Sequence, residues 1–304
     1  MWMLAAEGLH AHGASRGRSP AVGQPEKGNV MTYRVIMVHL DIDDSSTHRM
    51  KIAWQLAEEF KAELIGFCAC NTYRPAPVDG DGGFEAQFLV QQTDDINRHL
   101  NMIRNRFEEV TGNSERTSWI GLVGDPTGLL AKHACTADLI ISGHLEEHFQ
   151  SNNLRNVDTG SLIFAAGRPV LLLSNKMETL TADKILIGWK NTREGRRAVT
   201  DALPLLRKAS DVLLVTVETD EWEEIREGVE EVSRYLVKHG VNLRSEVLSS
   251  TRNVGEALIE TAHAMNADLV VAGGFGHSRL WELVFGGTTK SLIADDSVHR
   301  MLSN

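Results

Sequence analysis

Hydrophobic positions along the chain fall into short unbroken runs, such as VLLVTV at 212–217 and LVVAG at 269–273. Unbroken runs of this length mark strands buried on both faces, as in a parallel sheet covered by helices on each side. Strand-like runs lie at 34–41, 63–70, 116–123, 138–143 and 169–174, and again at 184–189, 211–217, 243–249, 268–273 and 298–302. Helical stretches separate them at 45–61, 84–112, 126–136 and 157–166, then at 192–209, 221–239, 253–266 and 286–295. Ser45, Ser46 and Thr47, and later Thr192, stand where helices begin and can cap free backbone N–H groups. Pro204 falls late in its helix and predicts a kink or an early end.

The pattern occurs twice. RVIMVHLD at 34–41 corresponds to KILIGWKN at 184–191, ADLIISGH at 137–144 to ADLVVAGG at 267–274, and LLSN at 172–175 to MLSN at 301–304. Three matches in one order, with similar gaps, indicate a duplicated unit of about 120–140 residues, the size of a whole domain. Five alternating β/α units per copy, joined by right-handed crossovers, give an α/β fold. The expectation is two tandem doubly wound five-stranded parallel sheets, Rossmann- or flavodoxin-like, with strand order 3-2-1-4-5. The domains would span 33–175 and 183–304, after a disordered extension at 1–32 in which Met31 is an alternative start. The polar insert NTYRPAPVDGDGG at 71–83 reads as a mobile loop. Each sheet would end in an apolar edge strand, RPVLLLS or VHRMLS, that needs covering. The two edges could pair within one chain as a pseudo-dimer, or chains could form a homodimer.

Charge narrows the partners. A formal net charge of −10 repels polyanions over most of the surface, so nucleic acid is not expected and any anion site must be local. No apolar run is long enough to span a bilayer. Cys68, Cys70 and Cys135 form no metal-ligand pattern, and an odd number of scattered thiols suits a reducing cytoplasm. Cys68 and Cys70, two apart on a strand, face one way and suit core packing.

The most specific chemical signal is Gly273-x2-Gly276-x9-Gly286 in DLVVAGGFGHSRLWELVFGGTT, residues 268–289. Glycine turns after a parallel strand let the backbone approach a phosphate, because they lack Cβ and accept positive φ. With strand order 3-2-1-4-5 the ligand crevice lies between strands 1 and 4 of a half. Here it would be bordered by Asn191 and Thr192 on one side and by Gly273–Ser278 on the other. Gly286, Gly287 and Thr288 open the following helix, whose N-terminus favours a phosphate, and His277, Ser278 and Thr288 add side-chain donors. The same glycines could instead serve only tight strand–helix packing. Trp189 either borders a base or fills core.

These residues resemble the universal stress protein family in its tandem form, over about 33–304. Nucleotide-binding members carry G-x2-G-x9-G-[Ser/Thr], and GGFGHSR is similar to the variant common among bacterial members. The resemblance implies an adenine nucleotide, ATP with Mg, bound in the C-terminal half as a regulatory ligand. It implies glycine segments that wrap the phosphates and an acidic residue at the end of strand 1 that contacts adenosine. This sequence has Gly287 at the Ser/Thr position, followed by Thr288, and Asn191 at the acidic one. The first half keeps Asp41, Gly143 and the pair Gly160–Ser161, but Glu146 replaces the second glycine and would repel a phosphate.

No catalytic or metal residue is expected. His144-Leu-Glu-Glu-His148 spells H-x-x-E-H but follows a strand directly in a polar loop, where a zinc helix is not expected. His133 and His263 hold equivalent positions before strand 4, which suits packing or capping. The alternatives to a nucleotide-binding protein are a nucleotide-free dimeric scaffold and a nucleotide-hydrolysing enzyme, for which Glu194 and Asp41 are the only general-base candidates.

Overall fold

Ten strands, β1 (Val35–His39), β2 (Glu63–Cys70), β3 (Thr117–Val123), β4 (Leu139–Gly143), β5 (Val170–Leu173), β6 (Lys184–Gly188), β7 (Asp211–Val217), β8 (Leu243–Leu248), β9 (Leu269–Gly273) and β10 (His299–Ser303), form one sheet. A computed structural model describes residues 32–43, 46–73, 82–143, 154–217, 222–249, 253–275 and 287–304. The strand order is β3-β2-β1-β4-β5-β10-β9-β6-β7-β8. Each half therefore has the expected order 3-2-1-4-5, and every pairing within a half is parallel. The expectation of two sheets is refined in one respect. β5 and β10 pair antiparallel, Met301 opposite Leu171 and Leu302 opposite Val170, and the two sheets become one. The intrachain pairing of apolar edges foreseen from RPVLLLS and VHRMLS is realised, and residues 32–304 form one compact unit.

Helices α1 (Thr47–Phe60), α2 (Gly82–Thr111), α5 (Arg193–Leu206) and α6 (Trp222–Lys238) cover one face. Helices α3 (Pro126–His133), α4 (Thr159–Ala165), α7 (Val254–Ala264) and α8 (Gly287–Ala294) cover the other. Strand residues alternate between the two cores: Ile36 and Val38 lie under α1, and Met37 on the opposite face. Cys68 and Cys70 both lie in the first core, as their spacing predicts, and burial pushes the Cys68 thiol up. Because the halves meet through an antiparallel pair, their parallel strands run in opposite directions. The carboxyl ends of β1–β5 and of β6–β10 therefore open at opposite ends of the sheet.

The repeated Asp-Leu-[Ile/Val] motif has a physical job. Asp138 Oδ2 accepts the N–H groups of Arg34 and Val35 at 2.7 and 3.0 Å. Asp268 Oδ2 accepts that of Asp183 at 3.0 Å in the same way. Each carboxylate thus satisfies the amides that open the central strand of its half. Thr192 caps α5 as expected, its Oγ1 accepting Gly195 N–H at 3.1 Å. Ser46 precedes α1 but does not cap it; its Oγ accepts Asp41 N–H at 3.3 Å instead. Helix α5 ends two residues after Pro204, and α2 begins at Gly82, inside the stretch read as loop. Residues 1–31 of the expected extension and 74–81 of the insert lie outside the described residues.

Across the seam, Tyr33 donates its hydroxyl to Asp201 O at 2.7 Å and packs edge-on against Phe60. Lys208 pairs with Glu59 and lies over the Phe60 ring. The linker between halves is held by His299, whose Nδ1 accepts Ser174 N–H at 3.0 Å while Nε2 donates to Thr179 O at 3.1 Å. An amide can only donate and a carbonyl only accept, so this imidazole is neutral with its proton on Nε2. Arg300, fully buried on β10, donates to Leu292 O near the C-terminus of α8 at 3.0 Å and to Val298 O at 2.6 Å. The negative end of α8 favours that cation, while burial lowers its pKa to about 10. No described helix is long and apolar enough to cross a membrane.

Met301 is fully buried at the seam, so Met301→Ala should cost about 2–5 kcal/mol. Hydrogen exchange should show protection lost in β4–β5 and in β9–β10 together, because the seam is common to both halves.

Candidate functional site

In the C-terminal half the strand order reverses between β6 and β9, which are neighbours in the sheet. Trp189 leaves β6 with its N–H on Val215 O at 2.7 Å and is buried in the core, which decides between its two readings. The chain then turns through Lys190, Asn191 and Thr192 into α5. Gly195 must lack a side chain, because a Cβ there would stand 2.2 Å from Lys190 O. Gly273 is under the same constraint: a Cβ would stand 2.7 Å from Gly195 N and 2.8 Å from Glu194 C. Gly273 therefore lets α5 close onto the end of β9, the packing role named beside the phosphate role. Gly274 donates its N–H to Ser303 O at 2.8 Å and lies against Ile163 of the first half. Phe275, at φ 62°, donates its N–H to Thr289 Oγ1 at 3.2 Å.

Gly287 and Thr288 begin α8 beside Asn253, which caps α7 by accepting Gly255 N–H at 2.8 Å. A Cβ on Gly287 would be 3.0 Å from Asn253 Nδ2, and one on Gly255 would be 2.8 Å from Thr288 O. The glycines thus bring two helix N-termini side by side. Gly276, His277, Ser278 and Gly286 lie outside the described residues, as do Glu146, His144 and His148. Of the residues expected in the site, the structure places Asn191, Gly273, Gly287 and Thr288 at the carboxyl end of this half.

Four cations at this corner escaped the motif reading. Lys190, Arg193, Arg196 and Arg197 are all exposed. Arg193 reaches Asn304 Oδ1 at 3.0 Å and Glu194, Arg196 reaches Asn191 Oδ1 at 2.8 Å, and Arg197 reaches Gly167 O at 3.0 Å. The carbonyl of Asn191 is therefore already engaged. The signal was present as KNTREGRR, four cations in eight residues of a chain with net charge −10. Cations in the first turn of a helix oppose its dipole, so this arrangement is not explained by helix stability. Glu194, packed against Gly273, is buried, which works against ionisation. Its own backbone N–H, the Thr192 hydroxyl and Arg193 outweigh burial and hold the carboxyl below its ordinary range.

The equivalent crevice of the N-terminal half is filled by its own residues. Arg49 of α1 donates to Asp41 Oδ2 and to His39 O, both at 2.8 Å, and all three residues are buried. Gly143 makes room for the guanidinium; a Cβ there would be 1.7 Å from Nη2. His39 Nδ1 meets Ser142 Oγ at 3.3 Å, and its Nε2 stands 3.7 Å from Asp41 Oδ1. Segment 154–157 crosses the strand ends: Leu154 O accepts Asn71 N–H at 2.7 Å, and Arg155 forms a two-pronged ion pair with Asp43. Gly160 and Ser161 lie in the first turn of α4, where the Asp158 carboxylate accepts Ser161 N–H at 2.7 Å. A carboxylate already stands at that helix end. Asp41 is thus a buried partner of Arg49 rather than an open contact for a ligand. His133 packs against Phe67, and His263 Nε2 meets Ser297 Oγ at 2.6 Å, so the paired histidines have different local partners.

Burial lowers the His39 pKa from 6.5 to about 4, against the pull of Asp41 and with the help of Arg49. Between those values the unfolded chain binds a proton that the folded one refuses. The contribution of His39 to stability should therefore be constant above pH 6.5 and fall by about 3 kcal/mol as pH drops toward 4. Denaturant unfolding across this range should show the fall, and His39→Gln should make it shallower, leaving the smaller share of the other buried neutral histidine, His299. Gly273→Ala should destabilise the ligand-free chain by about 1–3 kcal/mol through its clash with α5. Unchanged unfolding would remove the packing role.

No family model and no curated protein matches the sequence. Solved structures do. A universal stress protein from Archaeoglobus fulgidus is 15% identical, with a TM-score of 0.67 over 89% of this chain and 96% of that one. A candidate universal stress protein from Pseudomonas aeruginosa is 18% identical, with a TM-score of 0.57 over 89% and 93%. A Pseudomonas aeruginosa protein of unknown function is 17% identical, with a TM-score of 0.55 over 89% and 92%. The chain has the Rossmann-like fold of universal stress proteins across both halves, as the glycine segment and the repeat led one to expect.

Proposed function

We propose that the chain acts as a tandem universal stress protein, binding one adenine nucleotide, ATP with Mg, at the carboxyl end of β6–β10. The nucleotide would serve as a regulatory ligand, with hydrolysis absent or slow. The observation that carries this reading is the contrast between the two crevices. In the C-terminal half, Lys190, Arg193, Arg196 and Arg197 stand exposed on the turn into α5 and its first turns, the helix start that packs on Gly273, in a protein with net charge −10. Local positive charge and helix N-termini are what a polyphosphate needs. In the N-terminal half the corresponding places hold Arg49 against Asp41, and Asp158 on α4. The residues thus suit one nucleotide per chain. A cytoplasmic location accords with the buried unpaired thiols of Cys68 and Cys70.

A nucleotide-free scaffold is the second reading. It is favoured by the packing role of Gly273 and the engagement of Asn191 by Arg196. In that case the β5–β10 seam stands in for a dimer contact between single-domain chains.

Calorimetric titration with ATP-Mg should give one site per chain, and ligand at about a hundred times Kd should stabilise the fold by about 2.7 kcal/mol. Arg193→Glu and Arg196→Glu should each weaken binding roughly tenfold or more, since each removes a charge-assisted contact. No heat and no melting shift at saturating ATP-Mg would leave the scaffold. Phosphate release above background would restore the hydrolase.

A further inference from the structure

The two crevices differ by a coordinated exchange. Position three of α1 is Arg49, and position three of α5 is Gly195. The residue that closes the repeated strand-1 segment, RVIMVHLD or KILIGWKN, is Asp41 in one half and Asn191 in the other. Where the carboxylate is kept a guanidinium is supplied, and where the carboxylate is replaced by an amide the third helix position has no side chain. We propose that the N-terminal crevice is a guanidinium-binding site that the chain fills in cis with Arg49. This inference does not depend on nucleotide binding in the other half.

The site is built for that cation. Asp41 and His39 O give it two acceptors, each 2.8 Å from Arg49 Nη1, and a side chain at Gly143 would overlap the guanidinium from Nη2 to Nε. Arg49 and Asp41 side chains are only 7% and 6% exposed, so water screens the pair little. Asp41 Oδ1 and His39 Nε2, both buried and 3.7 Å apart, have no hydrogen-bond partner among the described residues. The carboxylate therefore keeps acceptor capacity that Arg49 does not exhaust. An anionic group entering here would meet Asp41 and displace its partner. A planar cation would find the place already shaped.

The test is chemical rescue in the full chain. Arg49→Gly copies Gly195 and leaves Asp41 buried without its partner, so the melting temperature should fall by about 5–10 °C. Low-millimolar guanidinium chloride, far below denaturing concentration, should recover at least half of that loss, whereas sodium chloride at equal ionic strength should not. The wild type should not be stabilised by guanidinium. The double variant Asp41→Asn/Arg49→Gly should show no guanidinium-specific recovery, because the acceptor carboxylate is gone. If Arg49→Gly does not fold at ambient temperature, the same comparison is made with Arg49→Ala, with guanidinium present during refolding and measured as folded yield. Recovery equal in sodium chloride, recovery in the double variant, or no recovery in either single variant would overturn the proposal.

Discussion

A strand apolar on both faces, with unpaired amides along one side, is not stable at the border of a water-exposed sheet. β5 and β10 are such strands, and their antiparallel pairing is the contact on which the molecule is organised. It fuses two five-stranded sheets into one, keeps α1, α2, α5 and α6 together on one face, and turns the carboxyl ends of the two halves in opposite directions. The seam also fixes the polar side chains buried beside it. Arg300 is held by the carbonyl end of α8, and His299 by the chain that links the halves. β3 and β8 remain as the outer strands.

Opposite orientation frees the two crevices to diverge, since neither shares a wall of the other's strand ends. In one, a buried carboxylate has gained a guanidinium and a covering segment held by Arg155 and Asp43. In the other, the carboxylate is Asn191, and cations gather on the outside of α5. One architecture thus carries a closed, self-neutralised crevice and a second whose border, at the start of α5, carries exposed cations.

Glycine in this protein answers mostly to packing. Gly143 admits Arg49, Gly195 admits Lys190 O, Gly273 admits the backbone of Glu194 and Gly195, and Gly255 admits Thr288. A phosphate-binding turn and a close-packed turn require the same absence of Cβ, so spacing alone does not distinguish them. The resemblance pointed to the carboxyl end of the C-terminal half, and the basic run KNTREGRR, outside the glycine pattern, places cations at that same end.

By itself the sequence determined the parts that rest on local physics. Apolar runs gave the strands, the repeats of Asp138 and Asp268 gave the duplication, and Thr192 gave the start of α5. Strand order within each half follows from handedness and short connections, which the spacing already limits. Tertiary structure alone decided what depends on long-range juxtaposition. Arg49 lies eight residues from Asp41 in sequence, yet only the turn into α1 and the missing side chain at Gly143, a hundred residues later, bring it into the crevice. A buried charge has a partner because folding places one there, and no periodicity along the chain records that distance.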